Sequence, residues 1–511
     1  MPDMDNAVDI IIIGAGPAGL TAALRLQQLG YRVQMLERSA TWPRPQIGEA
    51  LTPGVKNIID MLDANEALAA VPHLAGLSTR LRWRSTTPEI AGHGDAAVIN
   101  RAAFDAALLQ LARQRGISVC MPARIEDISG TAGDWQLHIS TPAGRQQITA
   151  RFILDAGGRS NGAQQYACAP RLSAMWVELE ADQVFNNIAH NIANEMANLT
   201  QVEALEHGWL WGTRLPDLRY RVMLVSDPQT AHQKMPGQAE NWLRWNCANS
   251  ELFKTIAQVP YASRLQACTA TPYLALDSWQ DGRLKLGDAA FALDPISSSG
   301  VEKAMRFSLQ AVVAIHTLLG STDSNRYECH DRYELARHFF EQRLTETCAR
   351  HQYWTQSYYA QAWCSEHPFW QSRAGIATNC ADGAVAGDDH PLVRAMHEQS
   401  AQLRDYQPAE LKPLSTFNPC QPLRIHPAAS LAESYCVVDD RVQKQLALSH
   451  PNLERPISFL ENQALFPNLN FLWQPQPLAH VLLKLEQSMG RQTSQKITAW
   501  LWQRGVLESL A

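Results

Sequence analysis

The stretch Val8-Asp9-Ile10-Ile11-Ile12-Ile13-Gly14-Ala15-Gly16-Pro17-Ala18-Gly19 decides the fold. A β-branched run ends abruptly in three glycines, and Leu20, Ala23, Leu24 and Leu26 follow at helical spacing. The run predicts a strand over Val8–Ile13 buried on both faces. Pro17 suits an early helical position and Gly30 the end of that helix. Tyr31–Leu36 reads as a second strand, leading into Glu37 and Arg38. In such a strand–turn–helix unit, Gly14 permits the tight turn and Gly16 lets the backbone approach a pyrophosphate. Gly19 allows close helix–strand packing, and the helix N-terminus around Ala18 faces the anion. Glu37 is placed to accept hydrogen bonds from a ribose hydroxyl, and its charge disfavours a 2′-phosphate. FAD or NAD is therefore expected rather than NADP; the alternative is a purely structural glycine turn.

Working outward, 511 residues bound the chain to two to four domains. Apolar residues at 46% and charged residues at 18% exclude global disorder, and a net charge of −6 gives no electrostatic footprint for nucleic acid. Ten cysteines without a CxxC pair suit free thiols in a reducing compartment better than disulfides or zinc. The acidic start lacks a signal peptide's basic region, and no run reaches the ~18 apolar residues of a membrane helix. A soluble cytoplasmic protein without bound metal is expected.

Three later segments extend the nucleotide unit. Arg101-Ala102-Ala103-Phe104-Asp105 opens an amphipathic helix to about Gly116. Ile153-Leu154-Asp155-Ala156-Gly157-Gly158-Arg159-Ser160 ends a strand in glycines. Leu284-Lys285-Leu286-Gly287-Asp288-Ala289-Ala290 is followed by Asp294-Pro295, by Ser297-Ser298-Ser299-Gly300 and by a helix from Val301. Singly, each has a bland reading: a helix-start arginine, or glycines that make turns. In order, they resemble the R-x-x-F-D, D-A-x-G and G-D-A-A segments of the single-component flavin monooxygenases of the p-hydroxybenzoate hydroxylase type and of their flavin-dependent halogenase relatives.

The resemblance covers about residues 8–320 and implies FAD, contacted by Arg101, Asp155, Gly157, Gly287, Asp288, Pro295, Ser299, Gly300 and Val301 besides the first unit. It implies that Asp288 holds the ribityl chain. A helix N-terminus at Gly300 would stabilise negative charge on the reduced ring, or the serines before it simply cap the helix.

Departures from the resemblance separate the reactions. Gly48-Glu49-Ala50-Leu51-Thr52-Pro53 resembles the halogenase segment, with Ala50 where serine is usual. The halogenase lysine would fall within Leu74–Trp83, which offers only Arg80 and Arg82. Ser297 stands where tryptophan halogenases carry glutamate, and Trp209-Leu210-Trp211-Gly212-Thr213-Arg214 is only a partial W-x-W-x-I-P. The resemblance therefore implies hydroxylation of an aromatic ring, indole- or tryptophan-like, through a flavin C4a-hydroperoxide. Electrons come from NADH or NADPH, directly or via a partner flavin reductase. Halogenation is the alternative, followed by reduction of the geranylgeranyl reductase type. Glu49 is the candidate catalytic group, its alternative being a carboxylate bonded to nearby amides.

The expected fold is α/β: a Rossmann-like FAD-binding domain (1–165 and 281–378) with an inserted β-sheet substrate domain (166–280). A loop-rich connector (379–430) and a small helical C-terminal domain (431–511) follow. Ala174–Leu179 and Arg219–Val225 read as strands. Trp209 and Trp211 share a strand face, lining a site or filling a core. Tyr333 to Trp370 reads as a long aromatic-rich helical stretch, and Val442–Leu448, Leu478–Met489 and Gln495–Trp502 as helices. An added module suits either a bulky, peptide-borne substrate, as in the peptidyl-tryptophan hydroxylase type, or dimerisation.

Overall fold

The computed structural model describes residues 7–41, 50–92, 96–159, 164–186, 199–320, 326–375, 389–416, 418 and 420–510. Glu49 and Ser160, singled out above, lie outside the described residues. The chain forms two compact units, Met1–Ile315 with Phe340–His397, and His316–Phe339 with Glu398–Ala511.

The first unit is built on β1 (Ala7–Ile13), α1 (Pro17–Gln28) and β2 (Val33–Leu36). Ile10, Ile11 and Ile12 are fully buried, because β1 runs between two parallel neighbours and is covered on both faces. Ile11 pairs with Gln34 of β2 on one side and with Ile153 of the strand Gly144–Asp155 on the other. Ser118–Cys120 and Arg283–Lys285 extend this parallel sheet at its two ends. The glycine-ended segments thus leave neighbouring strands at the same sheet edge, where ligands of open α/β sheets bind.

A second sheet of seven strands includes β3 (Ser173–Glu180), β4 (Gly208–Arg214) and β5 (Arg219–Ser226). Strand alternation gives it two unlike faces. Val177, Leu179, Leu210, Val222 and Leu224 point one way, into a core with Trp242, Leu243 and Phe253. Trp176, Trp209, Trp211, Arg221 and Met223 point the other way. The register aligns Trp176 with Met223 and Met223 with Trp211, a row across three strands.

Two long helices complete the frame: α2 (Gly300–Leu319) and α3 (Arg326–Tyr359). The aromatic stretch breaks after Tyr359 and resumes as a short helix at Pro368–Gln371. Trp209, Trp83, Tyr359, Phe369 and Trp370 pack as one cluster on the seven-stranded sheet.

The second unit has its own core, in which the helices Leu478–Met489 and Arg491–Gln503 bury Val481, Leu485, Ile497 and Leu501. Two expectations are corrected in the C-terminal part. Val442–Leu448 is no helix but part of the strand Arg441–Ser449, in a hairpin with Ser430–Val438. Asp439 and Asp440, at φ of 50° and 60°, form the two-residue turn that this hairpin needs, and the turn outweighs the helix-like spacing. The stretch expected to be a loop-rich connector contains the helix Pro391–Asp405, opened by its proline and burying Leu392, Val393 and Met396.

Candidate active site

The first unit encloses a cavity of about 460 Å³ between the N-terminal ends of α1 and α2 and the tryptophan face of the seven-stranded sheet. The glycines divide into two kinds. A Cβ on Gly14 would lie 2.4 Å from the Ala156 carbonyl, and Gly14 has φ +94°. A Cβ on Gly19 would lie 2.1 Å from the Gly14 carbonyl. These two permit the close turn and the close helix. Gly16 and Gly300 line the cavity instead, and a Cβ on either would meet nothing within 4 Å. Their backbone, at two helix starts, is bare toward the cavity. That suits an extended ligand with an anionic middle and an electron-rich ring.

Of the other expected cofactor residues, Ala18, Arg101, Asp288, Pro295 and Val301 line this cavity. Arg101 is buried, paired with Asp105 at 3.2 Å, and begins the helix that Asn100 caps. Asp288 forms an ion pair with Arg159 at 3.1 Å, and its backbone carbonyl accepts the Tyr273 hydroxyl.

The remainder stand behind the wall. Glu37 is buried, and its carboxylate accepts from the Ala15 and Ser39 amides at 2.9 Å each. In this structure it fixes the glycine turn. Asp155 accepts from the Gly157 amide at 3.1 Å and from Arg283 at 2.7 Å. Gly287, at φ +52°, lets its turn approach Ala18, whose Cβ is 2.9 Å from where a Gly287 Cβ would be. Ser299 is buried and shares a 2.8 Å hydrogen bond with Ser297, and Arg38 is exposed.

The opposite wall was less legible. Trp209 and Trp211 line the cavity while also belonging to the packed cluster. Trp176, Met223 and Arg221 join them. Arg221 pairs with Glu178, and burial pulls its guanidinium down to about 10, still charged at neutral pH. Among the described lining residues the cations are Arg101, Arg159 and Arg221, with no lysine. Arg80 and Arg82 do not line the cavity, and Arg82 pairs with Glu203 at 2.8 Å.

Beside the Trp209 indole sits a buried polar chain. Trp209 Nε1 donates to the Tyr359 hydroxyl (3.1 Å), which donates to the Asp294 carboxylate (2.9 Å to either oxygen). The Asp294 amide donates to His351 Nε2 at 2.9 Å. Burial pushes Asp294 up to about 6, and burial with nearby Lys303 pulls His351 down to about 4. Asp294 is visible in the sequence beside Pro295. Tyr359 lies 65 residues away and carries no local signal.

Comparison with known proteins names the frame. The FAD-binding domain family matches residues 7–348. This chain belongs to that family. The curated proteins that it resembles include flavin-dependent halogenases and an FAD-dependent oxidoreductase. The tryptophan 2-halogenase of Chondromyces crocatus is 28% identical over 342 residues, which span 62% of this chain and 62% of that relative's length. Among solved structures, the peptidyl tryptophan dihydroxylase QhpG is 21% identical at a TM-score of 0.68, over 98% of this chain and 99% of that one. The flavin-dependent halogenase CmlS is 20% identical at a TM-score of 0.73, over 99% and 96%. These likenesses show the fold along nearly the whole chain, C-terminal part included. Among the described residues, no helix is long and apolar enough to cross a membrane.

Proposed function

We propose that the protein is an FAD-dependent monooxygenase that hydroxylates an electron-rich aromatic ring of the indole or tryptophan type, free or borne by a peptide. One observation carries this reading. The cavity sets bare helix starts against a wall of Trp176, Trp209 and Trp211 and carries no lysine among its described lining residues.

In this reading the pyrophosphate lies over Gly16 and Ala18, with Gly14, Gly19 and Glu37 shaping the turn. Arg101, Asp288 and Pro295 flank the cofactor, and Asp155, Gly157 and Gly287 hold the turns that bring Arg159 and Asp288 to it. Gly300 and Val301, braced by Ser299, place a helix N-terminus where the ring system gains electron density on reduction. Bound FAD, once reduced by NADH or NADPH directly or through a flavin reductase, supplies the activation of O₂. The protein's own part is to bind, orient and exclude water, with the tryptophans stacking on a planar substrate. Glu49 remains the candidate acid–base residue, and Arg38 at the end of β2 a cofactor contact from the surface.

Halogenation is the second reading, favoured by the identity to the tryptophan 2-halogenase. It requires a group that holds the activated halogen, and an arginine, which keeps its proton, is a poor substitute for a lysine there. The deciding experiment is turnover of the FAD-loaded protein with reductant and O₂ on indole and on tryptophan-containing peptides, with and without bromide. A product heavier by one oxygen in both conditions is expected. A brominated product formed only with bromide would establish the second reading, and substrate reduction without O₂ would overturn both. Glu49→Gln is expected to lower kcat while leaving bound FAD unchanged.

A further inference from the structure

A second, smaller cavity of about 60 Å³ lies inside the first unit, and Leu293 and Asp294 line both it and the main cavity. Asp294 is 2% exposed and stands between the two spaces. The lining is mixed: Pro170, Pro272, Ala292 and Leu293 alternate with the polar groups of His351, Gln352, Thr355, Tyr359, Arg373 and Asp294. Its volume has room for a few waters at roughly 15 Å³ each, and the polar groups among its lining residues offer the hydrogen-bond partners that such waters need.

A further observation points to water. The Arg373 side chain is 2% exposed, and its terminal nitrogens donate to the carbonyls of Phe369 (3.0 Å) and Arg171 and meet Asp227 at 3.3 Å. Its buried Nε has no partner among the described residues. A buried donor of this kind costs stability unless water satisfies it.

We propose that the inner cavity is a hydrated compartment and that Asp294 passes protons between it and the main cavity. The proposal rests on the monooxygenase reading. Insertion of one oxygen atom converts the aromatic substrate, O₂, NAD(P)H and one proton into the hydroxylated ring, NAD(P)⁺ and water, so each turnover takes up a proton. That proton moves from a water of the inner cavity to an Asp294 oxygen, then from Asp294 to an acceptor in the main cavity. A further water-borne proton restores the starting state.

The groups facing Asp294 favour it for this task. Tyr359 is pushed far up by burial, and burial also raises the thiols of Cys168 and Cys348, so all three stay protonated. His351 stays neutral, with Lys303 as the cation acting on it, and the Arg373 guanidinium acts on Asp294 to hold its rise in check. Asp294 alone among these changes charge near neutral pH. Because it acts within the wall, two variants separate transfer from shape.

The test has two parts. A crystal structure of the FAD-loaded protein is expected to show ordered water within hydrogen-bonding distance of both Arg373 Nε and the Asp294 carboxylate; a dry inner cavity overturns the proposal. The rate at which O₂ reoxidises the photoreduced holoprotein is then followed from pH 5 to 8. An inflection near pH 6 is expected in the wild type, lost in Asp294→Asn. In Tyr359→Phe it moves to higher pH, because that hydroxyl stabilises the charged carboxylate. An inflection unmoved in both folded, yellow variants overturns the proton-passing role. A reduced holoprotein indifferent to O₂ overturns the monooxygenase reading and the proton role together. The hydrated cavity is then judged on the water alone.

Discussion

The two walls of the main cavity are written in the sequence in different ways. The nucleotide wall is made of backbone: Gly16 and Gly300 line it, Gly14, Gly19 and Gly287 shape the turns behind it, and all five act by what they lack, within a few residues of a strand or helix end. The aromatic wall is made of side chains from β3, β4 and β5, brought into one row by register alone. Backbone sites need local chemistry that few residues supply, so they leave a recognisable signature. Side-chain sites need only alternation, which many residues satisfy. In the proposed reading the nucleotide end takes the cofactor and the tryptophan face takes the substrate.

That contrast can be broken at either wall. The largest effect is expected from Gly19→Val, since even a Cβ there would lie 2.1 Å from the Gly14 carbonyl. FAD affinity should fall by ~100-fold or more, about 2.7 kcal/mol, read from the flavin absorbance of the purified protein. A variant that purifies fully yellow would show that the turn tolerates what the geometry forbids.

The next effect concerns Asp294, whose folded-state value lies near 6 against an ordinary 3.8. A raised carboxyl contributes stability in full below its unfolded value, and that contribution is lost as pH climbs through the folded one. The loss between about pH 4 and 6 amounts to roughly 3 kcal/mol. Asp294→Asn lacks it, so the variant's Tm should gain on that of the wild type across this window and hold a constant difference above it. Parallel Tm curves would place Asp294 in a wetter site than the structure gives it.

Trp176→Ala sharpens the comparison from the other wall. It removes a half-buried ring from the row and should raise KM for an indole substrate by ~10-fold, about 1.4 kcal/mol, with bound FAD unchanged. Loss of FAD instead would mean that the tryptophan row belongs to the cofactor site. The smallest effect is expected from Arg159→Ala. Its pair with Asp288 is partly exposed, at 30% and 50%, and should contribute less than about 1 kcal/mol to thermal stability.

How much was legible follows the same division. The strand–turn–helix of residues 8–36, the helix from Arg101 and the turns at Asp155–Gly158 and Gly287–Asp288 are found as read, because turn and cap chemistry is local. The alternation of Trp209 and Trp211 was visible, but nothing local says which sheet face borders a cavity, and Trp176, Met223 and Arg221 passed unnoticed. The Tyr359–Asp294 pair depends on a helix returning from far along the chain. In the C-terminal part, the apolar spacing of Val442–Leu448 fits a helix nearly as well as a strand, and the deciding residues were Asp439 and Asp440 beside it. Pro391 similarly marked a helix start in a stretch whose overall composition suggested loops.

The account stands or falls on the two walls forming one site. The most direct measurement is a crystal structure of the FAD-loaded protein soaked with a short tryptophan-containing peptide. The account predicts the flavin ring against the helix start at Gly300 and the peptide's indole stacked on Trp176 or Trp211, both within the one cavity. A flavin ring bound away from Gly300, or an indole seated elsewhere than the tryptophan face, would contradict it.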